Sequence, residues 1–152
     1  MTKTLIIGLG NPILGDDGIG WAAADALKEK GVRGEIIRLS LGGLSLMEHI
    51  SGYERVILID AIQTGQHPIG TVRVFPLTDL RNPFSGHSAS AHDTSLLTAL
   101  DTGRRLDIPL PTNKNITIVA IEAENVYDFS EDLSPFIAAA VPVTVEKVLT
   151  LL

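Results

Sequence analysis

Two carboxylates stand side by side in a glycine-rich turn near the start of the chain. Asp16 and Asp17 follow a short apolar run and precede a helical pattern, so the turn is predicted to join a strand to a helix. One aspartate can cap the helix by accepting hydrogen bonds from its first backbone N–H groups. A cap does not require two aspartates, and the other can point into a cleft as a metal ligand or general base.

Asp60 and His92 are the other residues that could carry chemistry. Asp60 is the first charged residue after the run Val-Ile-Leu-Ile and is predicted to end a central strand, where sites form in α/β sheets. His92 opens a predicted helix, whose positive end favours the neutral imidazole that binds metals. The structural alternatives are that Asp60 orders the turn after its strand and that His92 is an ordinary surface residue.

Asp17, Asp60 and His92 together would supply two oxygens and one nitrogen. Such a set suits nickel, zinc or iron and leaves coordination positions open for a substrate. The chain has no cysteine to act as a nucleophile or thiolate ligand, no H-E-x-x-H motif of a zinc protease and no G-x-S-x-G motif of a serine hydrolase. A dinucleotide fingerprint is not matched either, since Ile13 occupies the place of its third glycine.

The length and composition of the chain favour a small, ordinary globular protein. The 152 residues fit one domain, 1–152, and the formal net charge of −6 disfavours a nucleic-acid partner. The first apolar run, Leu5–Ile7, is too short for a signal sequence or a membrane span. We therefore expect a cytoplasmic protein without a membrane partner.

Strand and helix patterns alternate along the chain, which predicts a three-layer α/β domain with a mostly parallel sheet. The predicted strands are 4–8, 35–39, 55–60, 71–75 and 115–121. The predicted helices are 18–30, 44–51, 91–104 and a C-terminal helix that opens at Ser134-Pro135 and that Pro142 either kinks or splits. Residues 78–90 are predicted to form a mobile loop.

These residues resemble the hydrogenase maturation endopeptidases. The stretch from Gly8 to Gly20, Gly-Leu-Gly-Asn-Pro-Ile-Leu-Gly-Asp-Asp-Gly-Ile-Gly, looks like the N-terminal signature of that family. The similarity continues in order through Gly42-Gly43, Val-Ile-Leu-Ile-Asp60, Ser-Ala-His92, the Glu124 region and the C-terminal helix, and so covers essentially the whole chain.

The resemblance implies a fold, an activity and a ligand set. The fold would be a phosphorylase/hydrolase-like α/β/α sandwich with a mixed five-stranded sheet, in which 71–75 is the natural antiparallel strand. The activity would be removal of a C-terminal extension from the large-subunit precursor of a NiFe-hydrogenase after nickel insertion. Asp17, Asp60 and His92 fall on the family's ligand positions for the nickel, which the precursor supplies, and other divalent ions can occupy such a site.

The residues leave the hydrolytic step open. The metal could polarise the peptide carbonyl or lower the pKa of a bound water, and Asp16 or Asp17 could act as general base. The 78–90 loop beside His92 is a plausible part of the surface that docks the precursor.

Two other functions remain as alternatives at this point. Gly8-Leu-Gly-Asn-Pro12 also looks like the opening of the peptidyl-tRNA hydrolases, but this chain continues with Gly-Asp-Asp-Gly where that family has a basic stretch. An acidic chain is also poorly suited to tRNA phosphates. The second alternative is a non-catalytic metal-binding accessory protein.

Overall fold

The computed structural model describes residues 3–40, 42–81 and 91–152, with side chains described except at 80–81 and 91–95. Five strands form one sheet in the order β2-β1-β3-β5-β4. Strands β1, β2, β3 and β5 run parallel to one another, and β4 runs antiparallel to β5. The strands are β1 Thr4–Leu9, β2 Glu35–Leu39, β3 Arg55–Ile62, β4 Val72–Pro76 and β5 Ile116–Glu122.

Helices cover both faces of this sheet, which confirms the predicted three-layer sandwich. Helices α1 and α4 pack on one face and α2 and α3 on the other. Their bounds are α1 Ile19–Glu29, α2 Gly43–Ile50, α3 Ala91–Arg105 and α4 Pro135–Leu151. Three short 3-10 turns, Gly15–Gly18, Leu77–Arg81 and Asn113–Asn115, connect these elements.

The central strand β3 contributes to both cores, because successive side chains of a strand point to opposite faces. Val56 and Leu58 pack with the α2–α3 layer, whereas Ile57 and Ile59 pack with the α1–α4 layer. All four are fully buried, and each such side chain stabilises the fold by roughly 1.5–3 kcal/mol. The unbroken apolar run in the sequence is thus explained by helices on both sides.

The antiparallel strand is the one that the sequence predicted. Among the strands that the structure describes, β4 lies at the edge of the sheet and pairs with β5, from Val72↔Ile121 to Pro76↔Thr117. The exposed residue of β4 is Val74, whereas the polar Arg73 is half-buried, so the alternation of residues 71–75 marks the edge position without matching the exposure of each side chain.

Most predicted boundaries agree with the observed ones to within one residue, and the larger differences lie in three segments. The helix predicted over 18–30 begins as a 3-10 turn over Gly15–Gly18, and α1 follows. β3 does not end at Asp60 but continues to Ile62, because β5 keeps pairing with it there. Of the segment predicted as a loop, 78–81 belong to a 3-10 turn and 82–90 lie outside the described residues.

Pro142 does not split the C-terminal helix, which runs as one element through it. Proline lacks the N–H that would bond to the carbonyl of Ala138. Ala138 and Pro142 both lie on the exposed side of α4, so water can reach that carbonyl. In the parts of the chain that the structure describes, we find no helix with the length and apolarity needed to cross a membrane.

The glycines of the first turn permit an unusually close approach of two backbones. A Cβ atom on Gly8 would overlap the carbonyl oxygen of Gly20. A Cβ atom on Gly20 would overlap the carbonyl oxygen of Leu9 and lie 2.6 Å from that of Ile59. The start of α1 therefore rests directly on the ends of β1 and β3.

We predict that Gly20→Ala lowers the free energy of unfolding by about 3 kcal/mol, because the rigid backbone around the new methyl group cannot move away. Gly31→Ala is the matched control. Gly31 has a positive φ of 69° but nothing within 4 Å of its Cβ position, so only conformational strain of roughly 1 kcal/mol is expected. Urea unfolding of both variants measures the difference, and equal losses would contradict the packing explanation.

Candidate active site at the carboxyl edge of the sheet

The sheet changes its winding direction between β1 and β3. The connection from β1 to β2 places α1 on one face, and the connection from β2 to β3 places α2 on the other. At such a switch point the loops after neighbouring strands diverge and leave a crevice beyond the carboxyl ends of the strands. The turn after β1 and the end of β3 border this crevice.

Asp60 lies on β3 at the switch point. The pairing of β3 with β1 ends at Gly8↔Ile59, whereas its pairing with β5 continues through Asp60↔Ala120. Asp60 is 2% exposed, and strand alternation puts it on the α2–α3 face with Leu58. A carboxylate this deeply buried loses much of its hydration, which gives it a strong affinity for cations and donors.

Asp17 belongs to the turn that follows β1. Its Oδ2 atom accepts a hydrogen bond from the backbone N–H of Asn11 at 2.8 Å, and the residue is half-buried. Gly10, with a φ of 144°, packs against the backbone carbonyl of Asp17 so closely that a Cβ atom would overlap it. The hydrogen bond and this packing together fix the orientation of Asp17 relative to β1.

Asp16 has a different environment from its neighbour. It is 1% exposed, and Ser134 donates to it twice, from its backbone N–H to Oδ1 and from its hydroxyl to Oδ2, both at 2.7 Å. The predicted cap of α1 is wrong, because the N-cap is Gly18 and no side chain bonds there. Ser134 does stand at the predicted N-cap of α4, but its hydroxyl binds Asp16 and not the first N–H groups of that helix. Asp16 therefore joins the first turn to the C-terminal helix.

His92 is the second residue of α3, which confirms that it lies where a helix starts. At the other end of α3, Arg104 donates to the carbonyl of Pro111 at 2.7 Å and to Asn113 at 2.8 Å, just before β5 begins. Because the C-terminus of α3 lies near the start of β5, its N-terminus is directed toward the carboxyl edge of the sheet. The side chain of His92 lies outside the described residues.

The predicted ligand set thus comes from three elements directed to one edge of the sheet: the turn after β1, β3 and the start of α3. Among the described side chains, which do not include His92, no group of three His, Asp or Glu residues forms a metal-binding cluster. The set of Asp17, Asp60 and His92 stays a prediction.

The sequence reasoning did not identify Glu122, a further buried carboxylate at this edge. Glu122 ends β5, is 1% exposed and accepts hydrogen bonds from Thr64 N, Thr64 Oγ1 and Gly65 N at 2.8, 2.6 and 3.1 Å. It holds the loop that follows β3. The rule that pointed to Asp60, the first charged residue after an apolar strand, also fits Glu122, whereas the exposed Glu124 was named instead.

Comparison with known proteins decides the family. The model of the hydrogenase maturation protease family, HycI, matches residues 23–151. The chain belongs to the hydrogenase maturation protease family. The match begins after the glycine-rich turn, so it does not depend on the N-terminal signature from Gly8 to Gly20. The protein is therefore a protease, and the peptidyl-tRNA hydrolase and accessory-protein alternatives are set aside.

Solved hydrogenase maturation proteases share the fold. The NiFe hydrogenase maturation protease HybD from Thermococcus kodakarensis is 30% identical, with 98% of each chain covered and a TM-score of 0.76. The maturating endopeptidase HybD from E. coli is 25% identical over 97% of this chain and 90% of its own, with a TM-score of 0.77. The hydrogenase expression/formation protein HoxM from Cupriavidus necator is 27% identical, over 93% of this chain and 69% of HoxM.

We predict that Asp16→Ala lowers the free energy of unfolding by about 3 kcal/mol, because two donors of Ser134 lose a charged acceptor. Ser134→Ala should cost about half as much, since the backbone N–H still donates. The control is Asp25→Ala, which removes an exposed carboxylate bonded to Arg38 and should cost less than about 1 kcal/mol. Chemical denaturation ranks the three, and an Asp25 variant as unstable as the Asp16 variant would refute the interpretation.

We predict a similar contrast at Glu122. Glu122→Leu leaves three donors without an acceptor and should cost about 3 kcal/mol or more. Glu122→Gln keeps a carbonyl oxygen for the two N–H groups, and the rotatable hydroxyl of Thr64 can accept from the new amide, so the loss should be clearly smaller. The same Leu and Gln substitutions at the exposed Glu124 are the controls. Equal stability of the two Glu122 variants would show that its hydrogen bonds do not hold the loop.

Proposed function

We propose that this protease removes the C-terminal extension of a NiFe-hydrogenase large-subunit precursor after nickel has been inserted. Asp17, Asp60 and His92 recognise the precursor by completing the coordination of its nickel. The nickel belongs to the substrate, so the metal itself brings the peptide to be cut to the enzyme. We also propose a cytoplasmic location, where that precursor would be processed.

The observation that carries this proposal is the position of the two aspartates around the β1–β3 switch point. Asp60 lies on β3, and the turn that contains Asp17 rests on β1 and β3 through Gly8 and Gly20. Carboxylates at such a point face the crevice where α/β proteins bind ligands. Family membership supplies the reaction class, and this geometry supports the choice of residues.

The hydrogen bonds also support different roles for the two adjacent aspartates, Asp16 and Asp17. Ser134 engages both carboxylate oxygens of Asp16, which is 1% exposed. Asp17 is the more exposed of the two, and Asn11 engages its Oδ2. We therefore assign the ligand role, or that of a general base, to Asp17 and a structural role to Asp16.

The donor set explains why nickel fits. Two carboxylates and one neutral imidazole suit borderline divalent ions, and three protein ligands leave positions for groups of the precursor. Once bound, the metal can polarise the peptide carbonyl or lower the pKa of a water. The protein's own contribution is to hold the three side chains on rigid elements and to orient the extension against them.

The direct test is anaerobic incubation of the protein with a precursor large subunit in nickel-loaded and nickel-free forms. Mass spectrometry follows the loss of the C-terminal extension. We expect cleavage of the loaded form alone. Equal cleavage of both forms would exclude nickel as the recognition element, and cleavage of neither would exclude the proposed substrate.

We predict that Asp17→Asn, Asp60→Asn and His92→Ala each lower the cleavage rate by at least about a hundredfold, because each removes one of three ligands. Asp25→Asn and Glu54→Gln are the matched controls, since they remove the charge of exposed carboxylates that lie outside the ligand set. Circular dichroism verifies that each variant is folded. Full activity in the three site variants would refute the residue assignment without refuting the family.

A further inference from the structure

Exposed apolar side chains form a group beside the first turn. Tyr127 is 78% exposed, Phe129 85% and Phe136 72%, and Ile13 in the turn itself is 46% exposed. Single exposed apolar residues are common on protein surfaces, but a group of aromatic ones next to a site is typical of a surface that binds a partner.

Backbone hydrogen bonds join the segment after β5 to the turn that contains Asp17. The N–H of Ser130 donates to the carbonyl of Ile13 at 2.9 Å, and the N–H of Gly15 donates to the carbonyl of Ser130 at 2.8 Å. Phe129 directly precedes Ser130 and is therefore held one residue away from this contact. The segment forms a wall beside the turn.

The beginning of α4 is attached to the same turn. The two hydrogen bonds from Ser134 to Asp16 place Phe136, two residues further along, next to the wall. The backbone of Phe136 also packs against Gly70, in the loop before β4. The N–H of Asp16 donates to the carbonyl of Asn125 at 2.9 Å, which attaches the segment of Tyr127 to the turn as well. The segments that carry the four apolar side chains thus form a rim around the turn.

This rim is acidic as well as aromatic. Four exposed carboxylates accompany the aromatic side chains, and none of them forms an ion pair with another residue that the structure describes. They are Glu124, Asp128, Glu131 and Asp132. Residues 115–146 contain no lysine or arginine. Carboxylates without neighbouring cations attract a positively charged partner and raise its association rate.

We infer that this surface docks a basic, apolar segment of the protein substrate beside the site. The aromatic–acidic surface consists of Ile13, Tyr127, Phe129, Phe136 and the four carboxylates. The inference rests on the proposed function, because a precursor whose peptide reaches the turn of Asp17 must also cover the rim around that turn. The aromatic side chains supply affinity, and the carboxylates select a basic segment over an acidic one.

The aromatic part is tested with the double variant Tyr127→Ser/Phe129→Ser. We expect the Kd for the nickel-loaded precursor to rise about tenfold or more, since aromatic anchors dominate binding energy. In processing assays the effect should fall on KM and not on kcat at saturating precursor. The control is Leu106→Ser, which removes a 69% exposed apolar side chain just beyond the end of α3, remote from this edge.

The acidic part is tested with Glu131→Gln/Asp132→Asn. We expect binding of the precursor to weaken roughly two- to fivefold at low ionic strength, as for exposed charges, and the difference to vanish at high salt. Glu54→Gln/Asp107→Asn is the control, because it removes the same charge from exposed residues before β3 and after α3.

The outcomes separate this inference from the proposed function. If the wild-type protein cleaves the precursor and the aromatic double variant binds it equally well, the docking surface is refuted and the function stands. If the wild type binds without cleaving and the double variant binds about tenfold more weakly, the docking surface stands and the proposed function fails.

If the wild type self-associates and the double variant does not, while both bind the precursor equally well, the surface is an interface between copies of this chain and the inference is wrong. A wild type that neither binds nor cleaves refutes both.

Discussion

The contact between the start of α1 and the ends of β1 and β3 is the constraint on which the site depends. Gly8 and Gly20 lack side chains, so the two backbones touch directly. This contact fixes where the turn that contains Asp17 lies relative to the strand that contains Asp60. Glycines that superficially resemble a nucleotide-binding fingerprint therefore serve backbone packing here.

Carboxylates at this edge of the sheet are of two kinds, those that hold the structure together and those that are candidate metal ligands. Asp16 and Glu122 accept hydrogen bonds from residues far away in the sequence and thereby attach α4 and the loop after β3 to the sheet. The hydrogen bonds offset the cost of burying their charge. Asp17 follows Asp16 in the same turn, and Asp60 lies on β3, which pairs with the strand that ends at Glu122. These buried carboxylates thus stabilise the elements that carry the candidate ligands, and a metal site needs such rigid support.

A protease with a folded protein as its substrate needs recognition beyond the bond that it cuts. The attachment of α4 to the first turn also brings the exposed aromatic side chains and the acidic rim to the same edge. One set of hydrogen bonds therefore shapes both the candidate site and the surface beside it. The opposite edge, where α3 ends and β5 begins, carries none of the candidate ligands.

The sequence by itself determined the order and type of the elements, the edge strand at residues 71–75 and the helical start at His92, because local periodicity encodes which faces are buried. The antiparallel direction of that strand followed from the resemblance to the family. The sequence could not place the end of a strand where pairing with a neighbouring strand decides it. β3 continues to Ile62, for example, because β5 pairs with it there. Nor could residue type tell Asp16 from Asp17, which are adjacent and identical; the resemblance to the family pointed to Asp17. Only the tertiary structure showed how their surroundings differ, because Ser134, 118 residues away, binds Asp16.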